Sequence, residues 1–215
     1  MKALPFRMVL LALVAALATA CGPRIYVAND FREYAHRHRT VAVLPALVST
    51  ELRPVAARNT TFEQQRDAER RYGLDFQERI YAWLLRRSNQ RDYTVQFQDV
   101  AQTNALLFKH NLSYEELRAR SPQELAQLLG VDAVLTSSVR TSKPVSDGVA
   151  VAAAVLTDVW MPTNQATITV NIYEADAGKL LWKYDYLASG TVFSSTETVV
   201  NALMRNASRK FPYRK

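Results

Sequence analysis

Leu128-Leu129-Gly130-Val131-Asp132-Ala133-Val134-Leu135-Thr136-Ser137-Ser138-Val139-Arg140 changes its period at Gly130, and that change sets the fold class. Just upstream, Ser121-Pro122-Gln123-Glu124 carries the marks of a helix start. The hydroxyl can accept from the third helical amide, the carboxylate can reach back to the cap, and a proline in the first turn forfeits no helical bond. Leu125, Leu128 and Leu129 form the apolar stripe of this helix, and Gly130 is a natural carboxyl cap. Beyond the glycine, Val131, Ala133, Leu135 and Val139 point one way while Asp132, Thr136, Ser138 and Arg140 point the other, which is the period of a strand. A helix joined to a strand through one glycine predicts a helix layered on a sheet.

Upstream, Thr40 to Leu47 reads as a short buried strand that Pro45 ends or pushes to an edge. Ser49 to Arg71 is polar, and reads as a mobile loop running into a helix start where Thr60 and Glu63 have capping-box spacing; Gly73 interrupts the pattern. Phe76, Ile80, Trp83 and Leu84 share one face of a helix over Leu74 to Ser88, with Arg86 and Arg87 suited to its carboxyl end. Tyr93 to Phe97 predicts a second strand, Asp99 with Gln102 caps a helix that Asn111-Leu112 breaks, and Ser113 with Glu116 starts another short one.

Downstream, Ile168, Val170 and Ile172 alternate with Thr167, Thr169, Asn171 and Tyr173. Ala175-Asp176-Ala177-Gly178 supplies a turn, and Leu180, Trp182, Tyr184 and Tyr186 alternate on the return, predicting an antiparallel hairpin. Ser194 with Glu197 caps a last helix with the stripe Val200, Leu203, Ala207 and Phe211. The whole predicts an α/β fold: a mixed, partly antiparallel sheet of about five strands flanked by helices, in a single domain over residues 40–215. The segment 143–164 reads as an insertion between two strands. Its apolar part is shorter than the roughly 20 residues a membrane helix needs, and Val149, Val151, Trp160 and Met161 are its candidate interaction surface.

The amino-terminal end has a different character. Lys2 and Arg7 precede an apolar run from Met8 to Ala20, and Ala18-Thr19-Ala20 puts small residues before Cys21, the only cysteine. This is the pattern of an export signal with cleavage between Ala20 and Cys21. Leu17-Ala18-Thr19-Ala20-Cys21 resembles the lipobox of bacterial lipoproteins, with alanine at Ala18 where leucine is commonest. The resemblance implies a Cys21 carrying a diacylglyceryl group and a further acyl chain of the palmitate kind, which supplies the multiple chains a stable anchor requires. The alternative is an ordinary secretory signal that leaves a free amino-terminal cysteine. Gly22 stands where an aspartate would retain a lipoprotein at the inner membrane, so the resemblance implies sorting to the outer membrane, facing the periplasm. Residues 1–20 are then signal peptide and 21–39 a lipidated tether ending in His36-Arg37-His38-Arg39, whose two histidines lack the further ligands of a metal site.

Composition limits the function. Without Lys2 and Arg7 the chain has 25 basic and 20 acidic residues, a net charge of +5 spread along the sequence, and neither motif nor compartment points to nucleic acid. There is no Gly-x-Ser-x-Gly elbow, no His-Glu-x-x-His and no phosphate-cradling glycine loop. Asp132 and Asp185 are carboxylates that sequence cannot bring together, so the expectation is a protein that is not an enzyme and uses no cofactor and no metal. Thr40 to Pro45, Leu129 to Leu135 and Tyr173 to Trp182 resemble periplasmic lipoproteins with a CsgG-like or TolB amino-terminal-like α/β domain. That resemblance covers about residues 40–213. It implies an accessory or assembly role in secretion, transport or cell-wall assembly, exercised through an envelope protein partner or a homo-oligomer, with the lipid as the contact to the membrane. A curli-type pore would need two transmembrane hairpins per subunit, with strands of roughly 9 to 11 residues, and this chain has room for one short insertion. The alternative function is a cell-wall or small-ligand binding lipoprotein, whose mark would be a concave aromatic pocket.

Overall fold

The computed structural model describes residues 24–51, 58, 60–88, 90, 93–142, 165–189, 195–207 and 211–214. They form a seven-stranded sheet with five α-helices. In chain order the elements are β1 (Arg24–Val27), α1 (Phe31–Ala35), β2 (Thr40–Val43), β3 (Leu47–Thr50), α2 (Phe62–Ser88), β4 (Gln96–Phe97), α3 (Val100–Lys109), a 3-10 turn (Glu116–Ala119), α4 (Pro122–Leu129), β5 (Ala133–Ser142), β6 (Gln165–Glu174), β7 (Leu180–Ser189) and α5 (Thr196–Ala207). The sheet order is β1-β7-β6-β5-β2-β4, with β3 also on β5. β2, β3 and β4 join in parallel and β5, β6, β7 and β1 in antiparallel pairs, so the mixed sheet expected from the sequence is present and larger than expected.

The helix-to-strand joint forms as its residues dictate. Ser121 Oγ accepts from Glu124 N at 3.2 Å and Ser121 N donates to Glu124 Oε2 at 3.0 Å. Gly130 takes a left-handed φ of 64°, closed to most side chains, and β5 starts three residues later. Asp99 caps α3 by accepting from Ala101 N at 2.8 Å.

Residues of β2 alternate between two cores because both sheet faces are covered there. Val41 and Val43 join Phe76, Ile80 and Leu84 of α2 and Leu203 of α5 on one face. Ala42 and Leu44 join Leu107, Leu117, Leu125 and Leu129 on the other, where Val134 also points. Covered on both faces, β2 reads as continuous hydrophobicity.

Several expectations are corrected. The strand expected over Thr40 to Leu47 is two: β2 ends at Val43, Pro45 lies in the break, and pairing with β5 restarts at Leu47 as β3, with one more residue on this side than on β5 between the paired stretches. Gly73 does not interrupt the helix, since α2 runs through it from Phe62 to Ser88. The residues expected to form a loop before it include more than two helical turns. Capping falls one residue later than read at two helix starts, at Thr61 with Gln64 and at Ser195 with Thr198. Of the strand predicted over Tyr93 to Phe97, only Gln96–Phe97 pairs with β2, with an isolated bridge from Tyr93 to Arg214.

The stretch read as a solvated tether is folded from Arg24 onward. Arg24 to Val27 pairs with Asp185 to Trp182 of β7, Phe31 is buried, and His38 is 4% exposed. No helix among the described residues is long and apolar enough to cross a membrane.

Candidate functional site at one end of the sheet

The two ends of the sheet differ. At one end β5 stops at Ser142 opposite Gln165, where β6 begins, so residues 143–164 leave and re-enter at adjacent positions. Ser189 of β7 and Thr50 of β3 lie at this same end. Val149, Val151, Trp160 and Met161, proposed from sequence as an interaction surface, lie outside the described residues, as do Ala20 and Cys21.

The other end holds a cleft of about 990 Å³. Its walls are the end of β1, helix α1, the approach to β2, and the pairing of Tyr93 with Arg214. Each wall has a local cause. Ala28 N donates to Leu181 O at 2.9 Å, extending the β1–β7 pairing past Val27. Asp30 and Lys179 form an ion pair that ties the start of α1 to the β6–β7 turn, and Lys179 holds the Asp30 carboxyl below its ordinary range. Phe31 then meets Tyr213 edge to face at 5.3 Å between ring centres. Arg39 N and Thr40 N both donate to Asp132 Oδ2, at 2.7 and 2.8 Å, which fixes the entry to β2.

His38 lines the cleft, and its Nδ1 lies 2.6 Å from Tyr213 Oη behind it. Burial pushes the Tyr213 hydroxyl far above its usual titration range, so it remains protonated. Burial also lowers the His38 pKa, against the carboxylates of Asp132 and Glu174, which favour the charged ring, and with Arg37, which opposes it. The rim carries Arg32, Arg39, Arg214 and His36, and no carboxylate side chain lines the cleft among the described residues.

The sign of the His38 shift makes a prediction. Between the unfolded value of 6.5 and the lower folded value, the unfolded chain binds the extra proton. Stability is therefore complete above pH 6.5 and falls as the pH drops through the folded value. Thermal unfolding from pH 7.5 to 5 is expected to show a falling midpoint in this window. His38→Gln should flatten the slope there, and an unchanged slope would mean that His38 does not titrate on unfolding.

The structure does not bring Asp132 and Asp185 together. Asp132 is held by two backbone amides at the start of β5, whereas Asp185 accepts from Thr169 Oγ1 at 2.7 Å, two strands away and opposite the middle of β6. Sequence reasoning misses the arginine cluster because its members are distant in sequence and 24–39 has the composition of a tether. The β-branched and aromatic Ile25-Tyr26-Val27 and the pair Phe31 and Tyr34 at helical spacing were the signals that this stretch folds.

No family model matches the chain, and no curated protein matches it. Solved structures do. The chain is similar to lipoprotein GNA1162 from Neisseria meningitidis at 14% identity, over 80% of this chain and 95% of that one, with a TM-score of 0.43. It is similar to a subunit of the PelC dodecamer from Paraburkholderia phytofirmans at 14% identity, over 90% and 99% of the two chains, with a TM-score of 0.42. It is also similar to the C-terminal domain of LpoB from Salmonella enterica at 14% identity, over 83% and 94%, with a TM-score of 0.34.

Proposed function

We propose that this chain is a lipid-anchored accessory protein of the bacterial envelope, held at the outer membrane through Cys21, facing the periplasm and acting through protein contacts rather than catalysis. The observation that carries the reading is the lipobox-like Leu17 to Cys21 placed directly ahead of β1, which starts at Arg24. Three residues of fully extended chain reach about 10 Å, so an acylated Cys21 keeps the first strand close to the bilayer. The CsgG-like resemblance supports the assembly role, with the insertion at 143–164 as the contact surface. A second reading, small-ligand or cell-wall binding, is favoured by the cleft at the far end of the sheet, which is concave and has Phe31 and Tyr93 in its walls.

The test is membrane fractionation with crosslinking in intact cells. Wild-type protein is expected in the outer-membrane fraction with discrete crosslinked adducts, and Cys21→Ala protein in the soluble fraction without them. Cys21→Ala protein retained in the membrane, or wild type without adducts, would refute the reading.

A further inference from the structure

The geometry points to the cleft between α1, β1 and the carboxyl-terminal segment as a binding site for a small ligand bearing a phosphate or carboxylate group, taken from the aqueous side rather than from the anchoring bilayer. This rests on the ligand-binding reading of the cleft; the oxyanion assignment is independent of the lipid anchor, and the source of the ligand rests on it. Arg32, Arg39 and Arg214 come from three separate parts of the chain and line one cavity, with His36 beside them. No ion pair to any of the three arginines occurs among the described residues.

Three nearby carboxylates are engaged elsewhere, and Glu33, next to Arg32 on α1, is exposed and does not line the cleft. Asp30 pairs with Lys179, Asp132 accepts two backbone amides, and Glu174 accepts from Asp176 N and Ala177 N at 2.7 and 2.8 Å. The cleft lining thus brings together three exposed arginines without an ion-pair partner among the described residues, and the planar fork of a guanidinium matches an oxyanion with two parallel hydrogen bonds. A concave low-dielectric wall concentrates the resulting field. At about 990 Å³ the cavity is at the upper end of the range for small-molecule sites.

Strand direction supports an aqueous source of the ligand. Arg24 lies opposite Asp185, partway along β7, and β1 runs from there to Val27 at the cleft, opposite Trp182. The chain thus enters β1 from the end of the sheet that carries the insertion, and the cleft opens at the other end. A headgroup of the anchoring membrane would have to reach past the length of β1.

The test is titration of the full chain, purified in detergent, with inorganic phosphate, glucuronic acid, glucose and dihexanoylphosphatidylglycerol, following arginine side-chain Nε–H signals. Phosphate or glucuronate is expected to bind and glucose not. Arg39→Glu with Arg214→Glu should weaken that binding by about tenfold or more, while Arg37→Glu, outside the cleft lining, leaves it unchanged. Glucose binding as well as glucuronate would remove the oxyanion assignment while leaving a ligand site. No binding of either oxyanion, or binding indifferent to the double variant, would overturn the proposal. The short-chain lipid binding tenfold tighter than both soluble anions would overturn the aqueous source.

Discussion

Gly73→Ala is expected to destabilise the domain by about 3 kcal/mol, at the upper end of overpacking costs. In the interior of a helix the same exchange ordinarily stabilises by roughly 1 kcal/mol, so the sign alone tests the structure. A Cβ on Gly73 would lie 2.3 Å from Ala46 O and 2.8 Å from Tyr114 Oη. Neither can retreat. Ala46 N donates to Gly73 O at 3.1 Å, and Tyr114 Oη donates to Ala46 O at 2.7 Å while accepting from Val48 N at 2.8 Å. Those bonds hold together the bulge at Leu44–Ala46, where Pro45 interrupts the parallel pairing and the strand must restart as β3. Relieving the clash means breaking a buried network or pushing α2 off the sheet. Urea unfolding of the full chain is the measurement, and a midpoint equal to or above wild type would refute the close approach.

That position also shows where sequence reading reaches its limit. Glycine within an apolar helical pattern signals either a break or a close approach, and the two differ only in what lies opposite. The partner here is a backbone carbonyl from the bulge between β2 and β3, 27 residues earlier, which no local pattern reveals. Local signals were legible wherever the energetics are local. The capping box at Ser121, the left-handed Gly130 and the alternation through β6 and along β7 from Trp182 each act within a few residues and appear where expected, whereas a register shift at Ile172/Tyr173 pairs Leu180 with Tyr173 and takes it off the face of Trp182 and Tyr184. Pairing at the sheet edges is set by distant partners. β1 has only four residues, and its docking on β7 depends on contacts with residues more than 150 positions away. The same distinction applies to the two candidate sites. Cys21 belongs to a linear motif, an expectation that needs no fold and that falls outside the described residues. The arginine cleft exists only because α1, the approach to β2 and the carboxyl-terminal segment converge, and the charge run at His36 to Arg39 has the composition of a solvated tether although His38 is buried against Tyr213.

Tyr213→Ala is the sharper test of that convergence, with an expected loss of about 3–5 kcal/mol, typical of truncating a buried aromatic. Tyr213 is 1% exposed, and its ring meets Phe31 at 5.3 Å, His38 at 5.7 Å and Phe211 at 5.9 Å. Truncation removes the surface on which α1 rests and leaves the buried His38 Nδ1 without its partner. Tyr213→Phe keeps the ring and removes only the hydroxyl, so its cost should be about 1–2 kcal/mol. The bond from Thr94 N to Tyr213 O at 2.9 Å belongs to the backbone and is available in both variants. The damage is therefore predicted to be local before it is global. Amides that pair within 24–38, Ala28 N to Leu181 O among them, should lose hydrogen-exchange protection in Tyr213→Ala, while those of the β5–β6 pair keep most of theirs. Oxyanion binding in the cleft should disappear in Tyr213→Ala and persist in Tyr213→Phe, because Arg32 follows Phe31 on the helix that rests on the ring and Arg214 follows Tyr213 itself, and neither placement needs the hydroxyl. Wild-type exchange over 24–38 in Tyr213→Ala would show that β1 and α1 are held by β7 and Lys179 alone, and that Tyr213 does not position the cleft.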